Sequence, residues 1–226
     1  MSATVPPRSA PNELEFRTHE RISAIGASAW AAIVGEDCLP FLRYEWLVAL
    51  EDTGCIEPSR GWLAMHVAAY EDGELVAVAP CYVKGNSEGE FVFDHAWARY
   101  AEGSLRTEYY PKLIVAVPFT PATGPRLLVK PGADEARITR GFAQALRLIA
   151  ERISASGVHV LFPTLAQAEA LDGAGYLQRH GVQFHWRNAG YQKFEDFLGR
   201  FSSKRRNQIR REMREMLAKR ARKKDK

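Results

Sequence analysis

Three things are scarce in this 226-residue chain, and each scarcity closes off a class of function. It has only three cysteines, Cys38, Cys55 and Cys81. Their odd number and lack of a paired short spacing exclude a disulfide framework and a zinc knuckle, and fit a reducing compartment. It has no apolar run of membrane-spanning length, and prolines interrupt the N-terminal "MSATVPPRSAPNEL" where a signal peptide would carry its apolar stretch. Neither a transmembrane anchor nor export is expected, and a cytoplasmic location is. His180 and His185 with Cys38 make no metal-ligand spacing, so no metal is expected. Positive charge is also scarce until the C-terminus. Before Ser203 there are 19 Lys/Arg against 24 Asp/Glu, whereas from Ser203 onward there are 12 against 3.

What is present is enough apolar sequence, 46%, to bury a real core. Residues 1–15 read as a disordered, Pro-rich leader. "HERISAIGASAWAAIV" spaces Ile22, Ile25, Ala29 and Ile33 as a first helix. "LPFLRYEWLVALEDTG" opens with Pro40, puts Phe41, Tyr44 and Leu47 or Val48 on one face, and stops at Gly54, which predicts a second. "WLAMHVAAY" and "ELVAVAPCYVK" flank Glu71-Asp72-Gly73, a strong hairpin signal. "EFVFD" reads as a third strand, "WARYAEGSLRTEYY" as a helical or irregular connection, and "KLIVAVPF" and "RLLVK" as two more strands around "TPATGP".

From Asp134 an acidic opening and the spacing of Ile138, Phe142, Ala145, Leu146 and Ile149 predict a long helix with Gly157 as its stop. "VHVLFP" then reads as a strand, "LAQAEALDGAG" as a helix and "YLQRHGVQFHWRN" as β-like. Strand, helix, strand in that order implies parallel pairing through a crossover. In "SSKRRNQIRREMREML", Ser202 or Ser203 is a plausible N-cap. Ile209, Met213, Met216 and Leu217 share one face, and Arg206, Arg210 and Arg214 form an i, i+4, i+8 row on another. Like charges in such a row oppose the helix, so an anion is expected nearby. "AKRARKKDK" beyond it reads as a frayed tail.

"FDHAWARYAEGSLRTEYYPK" gathers Asp94, His95, Glu108, Tyr109, Tyr110 and Lys112 in one segment. Asp94, His95 or Glu108 could act as a base if buried near an acceptor. The alternative is that the aromatic residues pack the core while the charged groups are solvated or ion-paired. His159, inside an apolar strand, reads as a satisfied core histidine.

The wording of "PFLRYEWLVALEDTG", "GEFVFDHAWARYAEG", "YYPKLIVAVPFTPATGPRLLV" and "QFHWRNAGYQKFEDFLGRFSSKRRNQIRRE", from Pro40 to Glu212, resembles the FemAB-like peptidoglycan-biosynthesis family of the GNAT superfamily. The resemblance implies an α/β, GNAT-like N-acyltransferase fold with a mixed central sheet flanked by helices. It would occupy residues 16–193 as an N-terminal lobe, with a basic linker helix and tail over 194–226. A second lobe would normally follow, which makes the chain as given an inactive fragment in expectation, one that self-associates or meets a separately encoded lobe.

The implied activity is transfer of an acyl or aminoacyl group to an amine, with Asp94, His95 and Glu108 as catalytic candidates and Tyr109, Tyr110 and Lys112 beside the substrate. The Gly-rich pyrophosphate loop of acetyl-CoA enzymes is absent, so acetyl-CoA is not the expected donor, whereas aminoacyl-tRNA is a possible one. The nearest substitute for that loop is "FTPATGPR", where Thr120, Thr123, Gly124 and Arg126 could bind phosphate or carboxylate; the alternative is a rigid proline turn. Lys204, Arg205, Arg206, Arg210 and Arg211 are the expected contacts for an anionic small-molecule substrate or tRNA. The rival function is a non-catalytic module that contacts RNA, DNA or anionic lipid through the same helix.

Overall fold

The computed structural model describes residues 13–35 and 37–224. Its organising element is the Asp-Gly hairpin. Asp72 and Gly73 both take left-handed φ, 51° and 85°, as a tight two-residue hairpin turn requires. Preceding it are strand β1 (Glu15–His19), helices α1 (Ala27–Val34) and α2 (Tyr44–Asp52), and the short strand β2 (Trp62–Ala64). The hairpin arms are β3 (His66–Glu71) and β4 (Glu74–Ala79), and β5 (Cys81–Lys84) follows at once.

The same pairing runs from β3 and β4 into β2 and β5: Val67 faces Ala79 and Ala64 faces Tyr82. Pro80 interrupts the ladder because it has no N–H to donate. Met65 N–H bonds to the Cys81 carbonyl across the break, at 2.9 Å. Beyond the proline the long strand changes neighbours, so one hairpin serves two four-stranded sheets, ordered β1-β3-β4-β7 and β2-β5-β6-β8. The later elements are α3 (His95–Tyr100), β6 (Lys112–Val115), β7 (Leu128–Val129), α4 (Glu135–Arg152), β8 (Val158–Val160) and α5 (Leu165–Gly173). β6 and β8 pair in parallel, across the connection that contains α4. The parallel crossover expected from "VHVLFP" through α5 to residues 176–188 is not formed, because those residues are not a strand. The architecture is α/β with mixed pairing and flanking helices, as expected.

Alternation along β3 and β4 separates two cores. Val67, Ala69, Ala77 and Ala79 pack with Ile138, Phe142 and Leu146, which stand one turn apart on α4. Ala68 and Val78 belong to a second cluster with Trp30 and Ile33 of α1 and Leu47 of α2. Trp30 Nε1 donates to the Leu42 carbonyl at 2.8 Å, which satisfies its buried polar atom. Asp134 caps α4 by accepting from Arg137 N–H at 2.9 Å.

Several expectations need correction. Residues 1–12 of the leader lie outside the described residues, and Glu15 already pairs with Tyr70. The first helix starts only at Ala27, because Gly26 at φ 90° breaks the run that Ile22 begins as a 3-10 turn. Residues 90–94 are not a strand, and α4 ends at Arg152, well short of Gly157. The β-like 176–188 forms no strand either, and Phe184 within it is 98% exposed.

The chain divides at residue 180, and residues 181–226 form a unit of their own. Here α6 (Phe194–Gly199) is capped by Asp196, whose Oδ2 accepts from the N–H groups of Gln192 and Lys193. Helix α7 (Ser203–Lys224) runs through most of the stretch expected to fray. Ser202 is its cap, accepting from Arg205 N–H at 3.4 Å. Phe197 has Trp186, Tyr191, Phe194 and Phe201 within ring-contact distance.

Candidate functional site

β5 and β6 place two lysines opposite each other, Lys84 and Lys112, and both are fully buried. Like charges at a cross-strand pair repel, and a buried ammonium costs several kcal/mol unless it is paired. The loop that leaves β5 resolves the conflict. Lys84 Nζ donates to Asn86 Oδ1 at 3.0 Å and the Glu88 carbonyl at 3.1 Å, and lies 3.9 Å from the centre of the Trp62 ring. Burial, opposed by Glu90 and aided by the Lys112 charge, lowers its pKa to about 8.

Lys112 Nζ reaches Asp94 Oδ2 at 2.6 Å, Glu90 Oε2 at 2.8 Å and Ser87 Oγ at 3.2 Å. Burial pushes the Asp94 carboxyl up, but its hydrogen bonds, led by that from Lys112, outweigh burial and hold it at about 2. Glu90 goes the other way: burial raises its pKa, and Lys112 only partly offsets that. Tyr109 donates to Asp94 at 2.8 Å, and burial and that carboxylate keep its hydroxyl protonated. The Tyr110 hydroxyl bonds to Ser87 at 2.6 Å, and the His159 ring stands edge-on to Tyr109 at 6.1 Å.

An open cleft of about 500 Å³ adjoins this network, lined by Cys55, Ser59, Arg60, Trp62, Asn86, Glu88 and Phe119. Trp62 and Asn86 contact Lys84 directly, so the cleft wall and the buried charges share the 84–90 segment. Gly89 lets the loop close against the aromatic wall: at φ 78°, a Cβ there would lie 2.5 Å from the Phe119 ring. The cleft combines an aromatic surface with one cation and one carboxylate, which suits a small zwitterionic or amine-bearing ligand.

Of the sequence-selected residues, Asp94, Tyr109, Tyr110 and Lys112 come together. His95 and Glu108 do not: both side chains are exposed, so neither meets the condition of burial that a base role required. The "FTPATGPR" loop is also corrected. Arg126 is buried and donates to the carbonyls of Leu161, Pro125 and Ala122, so its fork is already occupied. Burial lowers its pKa to about 10. Thr120 donates to the Pro118 carbonyl, Gly124 is packed so closely that a Cβ would lie 2.4 Å from Leu39, and Thr123 is exposed. The loop's contribution to the cleft is Phe119.

Sequence reasoning missed Lys84, Glu90, Trp62, Asn86 and Glu88. A lysine closing an otherwise apolar strand was the available signal for Lys84, and the polar "KGNSEGE" run that follows it was the signal for the loop. On α7, Lys204, Arg205, Arg210 and Arg211 are exposed; Arg206 is half-buried and bonds to the Phe201 carbonyl. Arg211 meets Glu215 at 3.9 Å, and Met213, Met216 and Leu217 are exposed.

His159 gives the site a testable acid sensitivity. Burial lowers its pKa from 6.5 to about 4, with the Lys112 charge adding to the shift. A depressed histidine favours folding fully above 6.5, and that contribution is lost as pH falls towards 4. Asp94 acts only below this window, since its shift runs from 3.8 to about 2. Glu90 and His19 also titrate in this window, with opposite signs, so the quantity to read is the difference between wild type and His159→Phe. In urea denaturation the wild type should lose about 3 kcal/mol more than the variant between pH 7 and pH 4. An unchanged pH profile in the variant would refute the assignment.

Comparison with known proteins shows the family to which the chain belongs. Residues 21–224 match the FemAB-like family, described as peptidoglycan biosynthesis/recognition. No curated protein matches the sequence. Among solved structures, aminoglycoside 6'-N-acetyltransferase AAC(6')-Ih from Acinetobacter baumannii is similar at a TM-score of 0.43 and 13% identity, covering 79% of this chain and 100% of that one. Aminoglycoside N-acetyltransferase AAC(6')-Iy, in complex with CoA, is similar at 0.48 and 10% identity, covering 82% and 100%.

Proposed function

We propose, since the chain belongs to the FemAB-like family, that it transfers an acyl or aminoacyl group to an amine of a cell-wall precursor in the cytoplasm. The observation that carries this reading is the family match over residues 21–224. The cleft supports it by offering a place for the acceptor. An amine arrives as an ammonium, which Glu88 attracts; Trp62 and Phe119 supply apolar contact, and Arg60 complements a carboxylate or phosphate on the same ligand. The ammonium loses a proton to solvent water, its lone pair attacks the acyl carbonyl, and the C–N bond forms as the C–O bond to the donor breaks, the surplus proton on nitrogen passing through water to the departing oxygen. Asp94, held at about 2, is too weak a base for that proton at neutral pH, and Glu88, exposed on the cleft, holds the ammonium rather than acting as its base.

For the donor, an aminoacyl-tRNA fits the exposed Lys204, Arg205, Arg210 and Arg211 of α7, which can meet phosphates. Acetyl-CoA fits less well: the N-terminus of α4 is already capped by the Asp134 carboxylate, which would repel a pyrophosphate there. The test is mass spectrometry of an amine-bearing muropeptide incubated with either aminoacyl-tRNA or acetyl-CoA and the chain, both alone and extended by a second lobe. Transfer from aminoacyl-tRNA is expected, with the KM for the amine raised about threefold in Glu88→Gln, as the loss of one exposed ion pair implies. Steeply salt-dependent tRNA binding without transfer to any amine would replace this reading with a non-catalytic RNA-binding module.

A further inference from the structure

We propose that the surface built from residues 91–106 docks on an anionic lipid bilayer, an inference independent of the acyl-transfer reading. Between Glu90 and Asp94 the usual sorting of side chains is inverted. Both carboxylates are buried, while Phe91 is exposed and Phe93 is 76% exposed. The cause lies in the site: Lys112 draws Glu90 and Asp94 inward, at 2.8 and 2.6 Å. Phe91 and Phe93 take left-handed φ of 61° and 51°, which bulky side chains adopt only where the surroundings impose it.

The display continues along the chain. Trp97 and Tyr100, three residues apart on α3, are neighbours on its surface, and both are exposed, as is Leu105. Arg179 ties the two stretches together. It donates to the carbonyl of Val92, between the two phenylalanines, and its guanidinium lies 5.3 Å from the centre of the Trp97 ring. Large apolar side chains gathered this way mark an interaction surface rather than scattered exposure.

Charge selects the partner. Arg99, Arg106 and Arg179 lie in or beside this stretch, and among the described residues none has an ion pair. Guanidinium groups beside Phe, Trp, Tyr and Leu match the boundary between anionic headgroups and acyl chains: aromatic rings settle at the interface, Leu and Phe enter below it, and arginine meets phosphate. A single-stranded nucleic acid would need open ring faces for stacking. Arg179 already covers one face of Trp97, and Leu105 offers no stacking surface.

The experiment is co-sedimentation of the full chain with vesicles of phosphatidylcholine alone or mixed with phosphatidylglycerol. Helix α7 adds its own attraction to anionic vesicles, so the decisive comparison keeps α7 intact and changes only the aromatic surface. Phe93→Ser with Trp97→Ser is expected to weaken partitioning onto the anionic vesicles by about tenfold or more. Arg99→Glu with Arg106→Glu should weaken it similarly, and circular dichroism checks that both variants fold. Brominated acyl chains should quench the tryptophan fluorescence of the wild type, and Trp97→Phe should lose that quenching. Wild-type partitioning by the Phe93/Trp97 variant, or quenching unchanged by Trp97→Phe, overturns the proposal. So does RNA binding that depends on these rings in a chain that ignores the vesicles.

Discussion

Replacing Lys112 with methionine is expected to destabilise the fold by about 3–5 kcal/mol, because removing one partner of a buried ion pair strands the other charge. Here two would be stranded. Glu90 and Asp94 are both fully buried, and Lys112 is the lysine that reaches them, at 2.8 and 2.6 Å. Native domains have only about 5–15 kcal/mol in total, so this variant should be visibly less stable in urea. The control is the triple variant Lys112→Met, Glu90→Gln, Asp94→Asn, which removes all three charges together. A buried ion cluster replaced as a whole is often neutral in energy, so the triple variant should recover much of the loss. A single variant within about 1 kcal/mol of wild type would mean that the carboxylates are reached by water and that the cluster is a surface feature.

This cluster also explains where the sequence was legible. The hairpin at Asp72-Gly73 and helix α4 behind Asp134 were readable because their signals are local: a turn dipeptide, a cap and a 3.6-residue period. "EFVFD" alternates as a strand does, yet its two acids face inward because Lys112, far along the chain, holds them there. No local rule contains that lysine. Strand β1 was missed for the same reason: its residues carry little apolar alternation and are fixed by pairing with β3.

The candidate site divides along the same line. Asp94, Tyr109, Tyr110 and Lys112 were found because they lie in one polar and aromatic segment, and they do assemble. His95 and Glu108 are next to Asp94 and Tyr109 in sequence, but both are exposed. The cleft was invisible because its walls come from three separate stretches, around Arg60, Asn86 and Phe119, which only the sheet register and the glycine at 89 bring together.

Arg126 is where the structure most changes the reading, and substituting it should have the second large effect. Sequence offered it as a fork for a substrate phosphate. Instead Nε donates to the Leu161 carbonyl at 2.6 Å, Nη1 to that of Pro125 at 3.1 Å and Nη2 to that of Ala122 at 2.5 Å. Its own N–H donates to Gln167 Oε1 at 2.7 Å, so loop, strand end and helix α5 meet at this one residue. Arg126→Ala removes three charge-assisted bonds, leaves the buried Leu161 carbonyl without this partner and opens a cavity, which should cost about 3–5 kcal/mol. Arg126→Lys should keep the charge but recover only part of the loss, since an ammonium on a flexible stem cannot reproduce the planar fork. Urea denaturation of the three proteins decides between the roles. A phosphate-binding arginine would leave stability nearly unchanged and weaken ligand binding alone, whereas a loop anchor should lower stability first, with the cleft affected through displacement of Phe119.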